Sequence, residues 1–109
     1  MASSALHLQH CRNHISPKLL SEDQRNNYLS DVPEWNYDGK NNQISRQFKF
    51  ENYYQTLAFI NACAWIAHQE NHHPDIYFGY NNCTISLTTH SAHGITLFDF
   101  ICAARIDQL

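Results

Sequence analysis

Apolar and polar positions alternate from Gln43 onward. Ile44, Arg46, Phe48 and Phe50 share one face, while Gln43, Ser45, Gln47 and Lys49 share the other. That period of two is the signature of a strand with one buried side. From about Asn52 the period changes. Tyr53, Leu57, Ile60, Ala64 and Ala67 recur at steps of three and four, which predicts a helix with one apolar stripe. The helix must stop near His72, because Pro74 biases the residue before it away from helical angles.

The flanking segments follow from local signals. Ser21-Glu22-Asp23-Gln24 reads as a capping box and opens a helix that ends before Pro33. Trp35 to Tyr37 reads as a short strand, turned back by Asp38-Gly39 toward the strand at Gln43 to Phe50. Asp75 to Tyr80 and Cys83 to Thr89 form a second strand pair around Asn81-Asn82. Thr96-Leu-Phe-Asp99 is another capping box, and its helix runs through Ile106. The order α-β-β-α-β-β-α predicts an α+β fold in two layers: one four-stranded antiparallel sheet with three helices on one face. Residues 1–18 lack periodicity and are expected to be a flexible arm, dispensable for folding and activity, with a single domain over 19–109.

Composition narrows the function classes. The 109 residues suit one domain, and 43% apolar content supplies one core. No apolar run reaches the length of a membrane span, and the start lacks a signal-peptide pattern, so a cytoplasmic protein is expected. A net charge of -3 with only seven Lys and Arg does not suit a nucleic-acid partner. Cys11, Cys63, Cys83 and Cys102 contain no C-x-x-C, so reduced thiols are the expectation.

Histidine is the unusual residue. The chain has eight, five of them between His68 and His93. His72-His73-Pro74 closes the long helix, and His90 ends the last strand. If the two hairpins pair, three imidazoles line one pocket. A helix C-terminus also attracts histidines for electrostatic reasons alone, but three at two facing element ends favour chemistry. His68 and His72 share a helix face, as zinc ligands would. However, His68-Gln-Glu-Asn-His72 is not H-E-x-x-H, and Glu70 points off the ligand face. Cys11-x-x-His14 is at best half a metal site. Asp99 holds the last helix start, and as a carboxylate near the pocket it can also orient a histidine or a substrate.

Asn71-His72-His73-Pro74-Asp75, the aromatic Tyr80, Thr88-Thr89-His90, Gly94-Ile95-Thr96 and Asp99 together resemble the signature of the pterin-4a-carbinolamine dehydratases. The resemblance runs from about Leu20 to Arg105 and is strongest to the bacterial branch. It departs from the family at His93, where a glycine is common, and at His68, where some members carry an acid. The resemblance implies dehydration of 4a-hydroxytetrahydrobiopterin to quinonoid dihydropterin and water. That step recycles the pterin used by aromatic amino acid hydroxylases. It further implies His72 and His90 as the acid/base pair and His73 as mainly a binding residue. Pro74, Thr89, Asp99 and Trp35 are implied around the substrate, with no metal and no cofactor. A homodimer or larger homo-oligomer is expected, because Tyr54, Phe59 and Trp65 lie off the apolar stripe. Animal members of the family also act as dimerisation cofactors of a transcription factor. Nothing in this sequence indicates such a partner, and the strands lack the basic residues of an RNA-binding sheet.

Overall fold

Side-chain caps set where the helices begin. In the computed structural model, which describes residues 6–109, Ser21 Oγ accepts the Gln24 amide and Gln24 Oε1 accepts the Ser21 amide, opening α1 (Glu22–Leu29). Asn52 Oδ1 accepts the Gln55 amide and opens α2 (Tyr53–Glu70). Thr96 and Asp99 form the box that opens α3 (Leu97–Ile106). Each cap satisfies amides that a helix start leaves unpaired.

The strands are β1 (Asn36–Asp38), β2 (Gln43–Lys49), β3 (Asp75–Phe78) and β4 (Asn82–Leu87). They form one antiparallel sheet in the order β1-β2-β4-β3, so the two hairpins join through their second strands. The register places Ile44 opposite Leu87, Arg46 opposite Ile85 and Phe48 opposite Cys83. This is the face expected from the alternation, and Ile44, Cys83, Ile85 and Leu87 are fully buried on it. Phe100, Ile101 and Ile106 of α3 complete the core. The predicted α+β architecture therefore stands.

The buried face of α2 is not the stripe that the periodicity marks. Thr56, Cys63, Ile66, Ala67 and Glu70 are buried, whereas Tyr53 and Ala64 are exposed. Two polar residues enter because partners meet them. Thr56 Oγ1 donates to the Asn52 and Tyr80 carbonyls at 2.9 and 3.0 Å. Phe59, expected on the outside, packs between Phe48 and Phe50. α2 stops before Pro74 acts: Asn71 adopts a left-handed conformation (φ 51°), and the His72 amide turns back to the Ala67 carbonyl. Asparagine is the side chain other than glycine that tolerates this cap.

The expectation of a flexible arm needs correcting for the described part, residues 6–18; residues 1–5 lie outside the described residues. Leu6 and Cys11 are buried. The Cys11 amide donates to Glu70 Oε1 at 2.7 Å, and His10 Nδ1 lies 2.8 Å from Glu70 Oε2. Arg105 donates to the Gln9 carbonyl through Nε and Nη2. Burial by itself would raise the Glu70 carboxyl, but the Cys11 amide, His10 and the Arg105 charge together hold it below the ordinary value of 4.5. No run of apolar residues announces this docking, because a buried carboxylate makes it.

All four cysteines are free and buried. Burial, with the Cys83 thiol beside it, pushes Cys63 up to about 12. A thiol so protonated is unreactive.

Deleting residues 1–15 is expected to destabilise the fold. Hydrogen bonds to a charged group contribute about 1.5–3 kcal/mol, so the melting temperature should fall by roughly 5 °C or more. The loss should depend on pH. A carboxyl whose folded pKa lies below its unfolded value stabilises above that unfolded value and stops doing so as pH falls through the folded one. The gap between intact and truncated chains should therefore narrow on acidification below about pH 4.5. Thermal melts of both chains between pH 3 and pH 7 check this; equal melting temperatures at pH 7 would restore the view of a dispensable arm.

Candidate active site

Asp99 is fully buried, yet three donors converge on it. Oδ1 lies 2.7 Å from His72 Nε2. Oδ2 accepts the Thr89 hydroxyl at 2.8 Å and the Thr96 amide at 2.9 Å. The capping role and the histidine-orienting role expected of Asp99 therefore use different oxygens of one carboxylate. The protons can be traced from there. Thr89 gives its only hydroxyl proton to Asp99, so Thr96 Oγ1 is the donor in the 2.8 Å contact between the two threonines. Thr96 Oγ1 in turn accepts the Phe98 amide. A carboxylate only accepts, so His72 donates from Nε2, and its neutral ring keeps the lone pair on Nδ1. Phe98 stands edge-on to the His72 ring at 5.9 Å and fixes its plane.

This network joins the end of α2 to the end of β4. His73 and His90 each sit one residue beyond a partner of Asp99, and both are exposed while His72 is mostly covered. His90 opens a short 3-10 turn, His90–Ala92, and lines a cleft of about 240 Å3 with Asn41, Asn42, Thr88, His93 and Gly94. Pro74 is half-buried after the histidine pair, and Thr89 is buried in the network.

Trp35 does not belong to this group. It is 3% exposed, lies edge-on to Phe48, and donates its indole N–H to Asp107 Oδ1 at 2.8 Å. Asp107 follows the far end of α3, about 12 Å along the helix from Asp99. Large aromatic area and a satisfied N–H make Trp35 a core residue. His68 is exposed and stacks on Trp65 at 5.6 Å rather than facing the Asp99 network. Among the described residues no three His, Cys, Asp or Glu side chains gather in a way that holds a metal. No described helix is long and apolar enough to cross a membrane.

Several residues at the site were not singled out from the sequence. Phe98 was hidden in an apolar helix start. Asn42 lies 46 positions from Thr88, whose hydroxyl donates to the Asn42 carbonyl at 2.6 Å, and Asn41 precedes it. The sequence did carry one signal: Thr96 is the cap of the box that contains Asp99.

Comparison with known proteins identifies the family. Residues 18–109 match the model of the family described as pterin 4 alpha carbinolamine dehydratase. A protein of Nitrosospira multiformis, provisionally named as such a dehydratase, is 48% identical over 99 residues, covering 91% of this chain and 84% of that one. One of Legionella pneumophila, named in the same way, is 45% identical over 106 residues, covering 97% and 93%. A crystal structure of a transcriptional coactivator/pterin dehydratase from Brucella melitensis superposes with a TM-score of 0.78 at 29% identity, covering 82% of this chain and 95% of that one. A pterin dehydratase-like protein described as a RuBisCO assembly factor in the alpha-carboxysome superposes at 0.60 with 30% identity, covering 69% and 87%. With a family model spanning most of its length and relatives at 45–48% identity, the chain belongs to the pterin 4 alpha carbinolamine dehydratase family.

Proposed function

We propose that this protein dehydrates 4a-hydroxytetrahydrobiopterin to quinonoid dihydropterin, by histidine acid/base catalysis and without a metal. The observation that carries the reading is the 2.7 Å contact from His72 Nε2 to the buried Asp99 carboxylate. It fixes the ring and leaves Nδ1 of His72 as the ring nitrogen free to accept a proton. In this reading His72 takes the proton from N5 of the pterin. The N5–C4a double bond forms as the C4a–O bond breaks. His90, exposed in its cleft, protonates the departing hydroxyl, and water leaves. His73 and Pro74 border the ring, and Thr89 acts through Asp99. The reaction has no net redox change, so its chemistry asks only for proton transfers, which imidazole side chains can supply.

The biological setting follows from the substrate. On this reading the protein works in the cytoplasm beside an aromatic amino acid hydroxylase, whose turnover makes such carbinolamines. The assembly-factor relative shows that this fold also serves without the name of an enzyme, and fold alone does not carry activity. The histidine–aspartate pairing is what favours catalysis here.

The proposal extends to a homo-oligomer. Tyr54 and Trp65 are 82% and 60% exposed on α2. Tyr53, Phe78 and Tyr80 form a second exposed aromatic group beside the edge strand β3. Aromatic surface of this kind marks interfaces, and a two-fold dimer is the commonest solution.

Purified protein should accelerate the dehydration with or without EDTA. His72→Ala and His90→Ala should each lower kcat by about 10²-fold or more, and His73→Ala should act mainly on KM. Near-normal kcat in both of the first two variants would refute the acid/base assignment. For the assembly, light scattering at micromolar concentration should give at least twice the 12.7 kDa chain mass; a monomer mass would refute it.

A further inference from the structure

Apart from His90, the lining of the cleft that holds it has no part in the proposed dehydration. Asn41, Asn42, Thr88, His90 and His93 contribute polar groups, with only Gly94 between them. None is a carboxylate, lysine or arginine, so the lining suits a neutral ligand rich in hydroxyls. The flat pterin ring asks instead for apolar contact. Size points the same way. Whole small-molecule sites usually span about 300–1,000 Å3, and this cleft holds about 240 Å3. It takes a substituent rather than an entire bicyclic substrate.

Two of the lining side chains are free to bind. The carboxamide of Asn41 is held by Asp38, and the Thr88 hydroxyl is spent on the Asn42 carbonyl. That last bond pins the β1–β2 turn against the strand end carrying His90. Among the described residues, neither the Asn42 carboxamide nor the His93 ring has a hydrogen-bond partner, and both side chains are exposed. Both residues also occupy left-handed backbone positions, with φ of 52° and 60°. His93 closes the His90–Ala92 turn in this conformation, its amide donating to the His90 carbonyl, so its ring is left facing solvent at the cleft.

We infer that Asn42 and His93 select the pterin by hydrogen-bonding a neutral, hydroxyl-bearing substituent at C6 of the ring. The inference rests on the dehydratase reading for its substrate class. It adds which part of the substrate the cleft recognises, and it makes the β1–β2 turn a specificity element 48 residues away in sequence from His90.

The left-handed angles make the test clean, because glycine adopts them at no steric cost. Asn42→Gly and His93→Gly remove the side chains and keep the backbone. Dissociation constants are measured by fluorescence titration for 7,8-dihydrobiopterin, with its dihydroxypropyl group, and for 6-methyl-7,8-dihydropterin. KM is measured for the two matching carbinolamines. The intact protein should bind the dihydroxypropyl compound several-fold more tightly. Each variant should bring the ratio of the two constants toward one by about three- to tenfold, the scale of one neutral hydrogen bond. KM ratios should follow. Equal or absent binding of the two compounds by the intact protein would overturn the inference, as would variants that weaken both alike. Failure to dehydrate either carbinolamine strikes the dehydratase reading instead, since the binding ratio is measured without turnover.

Discussion

A carboxylate with no access to water has to be met by donors, and Asp99 is met by three from three separate segments. His72 comes from the end of α2, Thr89 from the end of β4, and Thr96 from the start of α3. An unpaired charge in such a place would cost far more than any one of these bonds contributes. The three segments therefore have to close around Asp99 together. That closure sets the ring plane and tautomer of His72 and brings the β4 turn, with His90, to the same end of the sheet. Site and fold are in this sense the same object.

Glu70 repeats the device on the other side of α2. It lies at the last helical position, two residues before His72, and gathers the Cys11 amide, His10 and Arg105. One carboxylate thus binds the arm to α2 and α3, and the other binds α2 and α3 to the sheet. Between them the last turn of α2 has little freedom to rotate. His14 of the arm approaches the Phe98 ring at 6.5 Å, and Phe98 contacts His72, so the arm also backs the wall of the site.

The relatives show why the geometry matters more than the architecture. One structural relative is described as a coactivator and dehydratase, and another as an assembly factor. A shared sheet and helices do not separate such roles. The particular pairing of a buried acid with a histidine, and the polar cleft beside it, are features on which function can turn.

The strands, the helix caps and the turns were legible from the chain alone because they depend on neighbours a few positions away. Ser21, Asn52 and Thr96 cap through residues two or three further on, and the alternation of Ile44, Phe48 and Phe50 needs no knowledge of what covers it. The resemblance groups the histidine pair, His90 and Asp99, and the fold draws His72 onto Asp99. What the sequence did not decide is which polar residues go inside. Thr56 and Glu70 rotate the buried face of α2 away from the apparent stripe because their partners lie 24 and about 60 positions distant. Trp35 moved from the site to the core because Asp107, 72 residues on, accepts its N–H. Periodicity measures where apolar side chains recur; burial of a polar side chain depends on a donor or acceptor that only the closed chain brings within 3 Å.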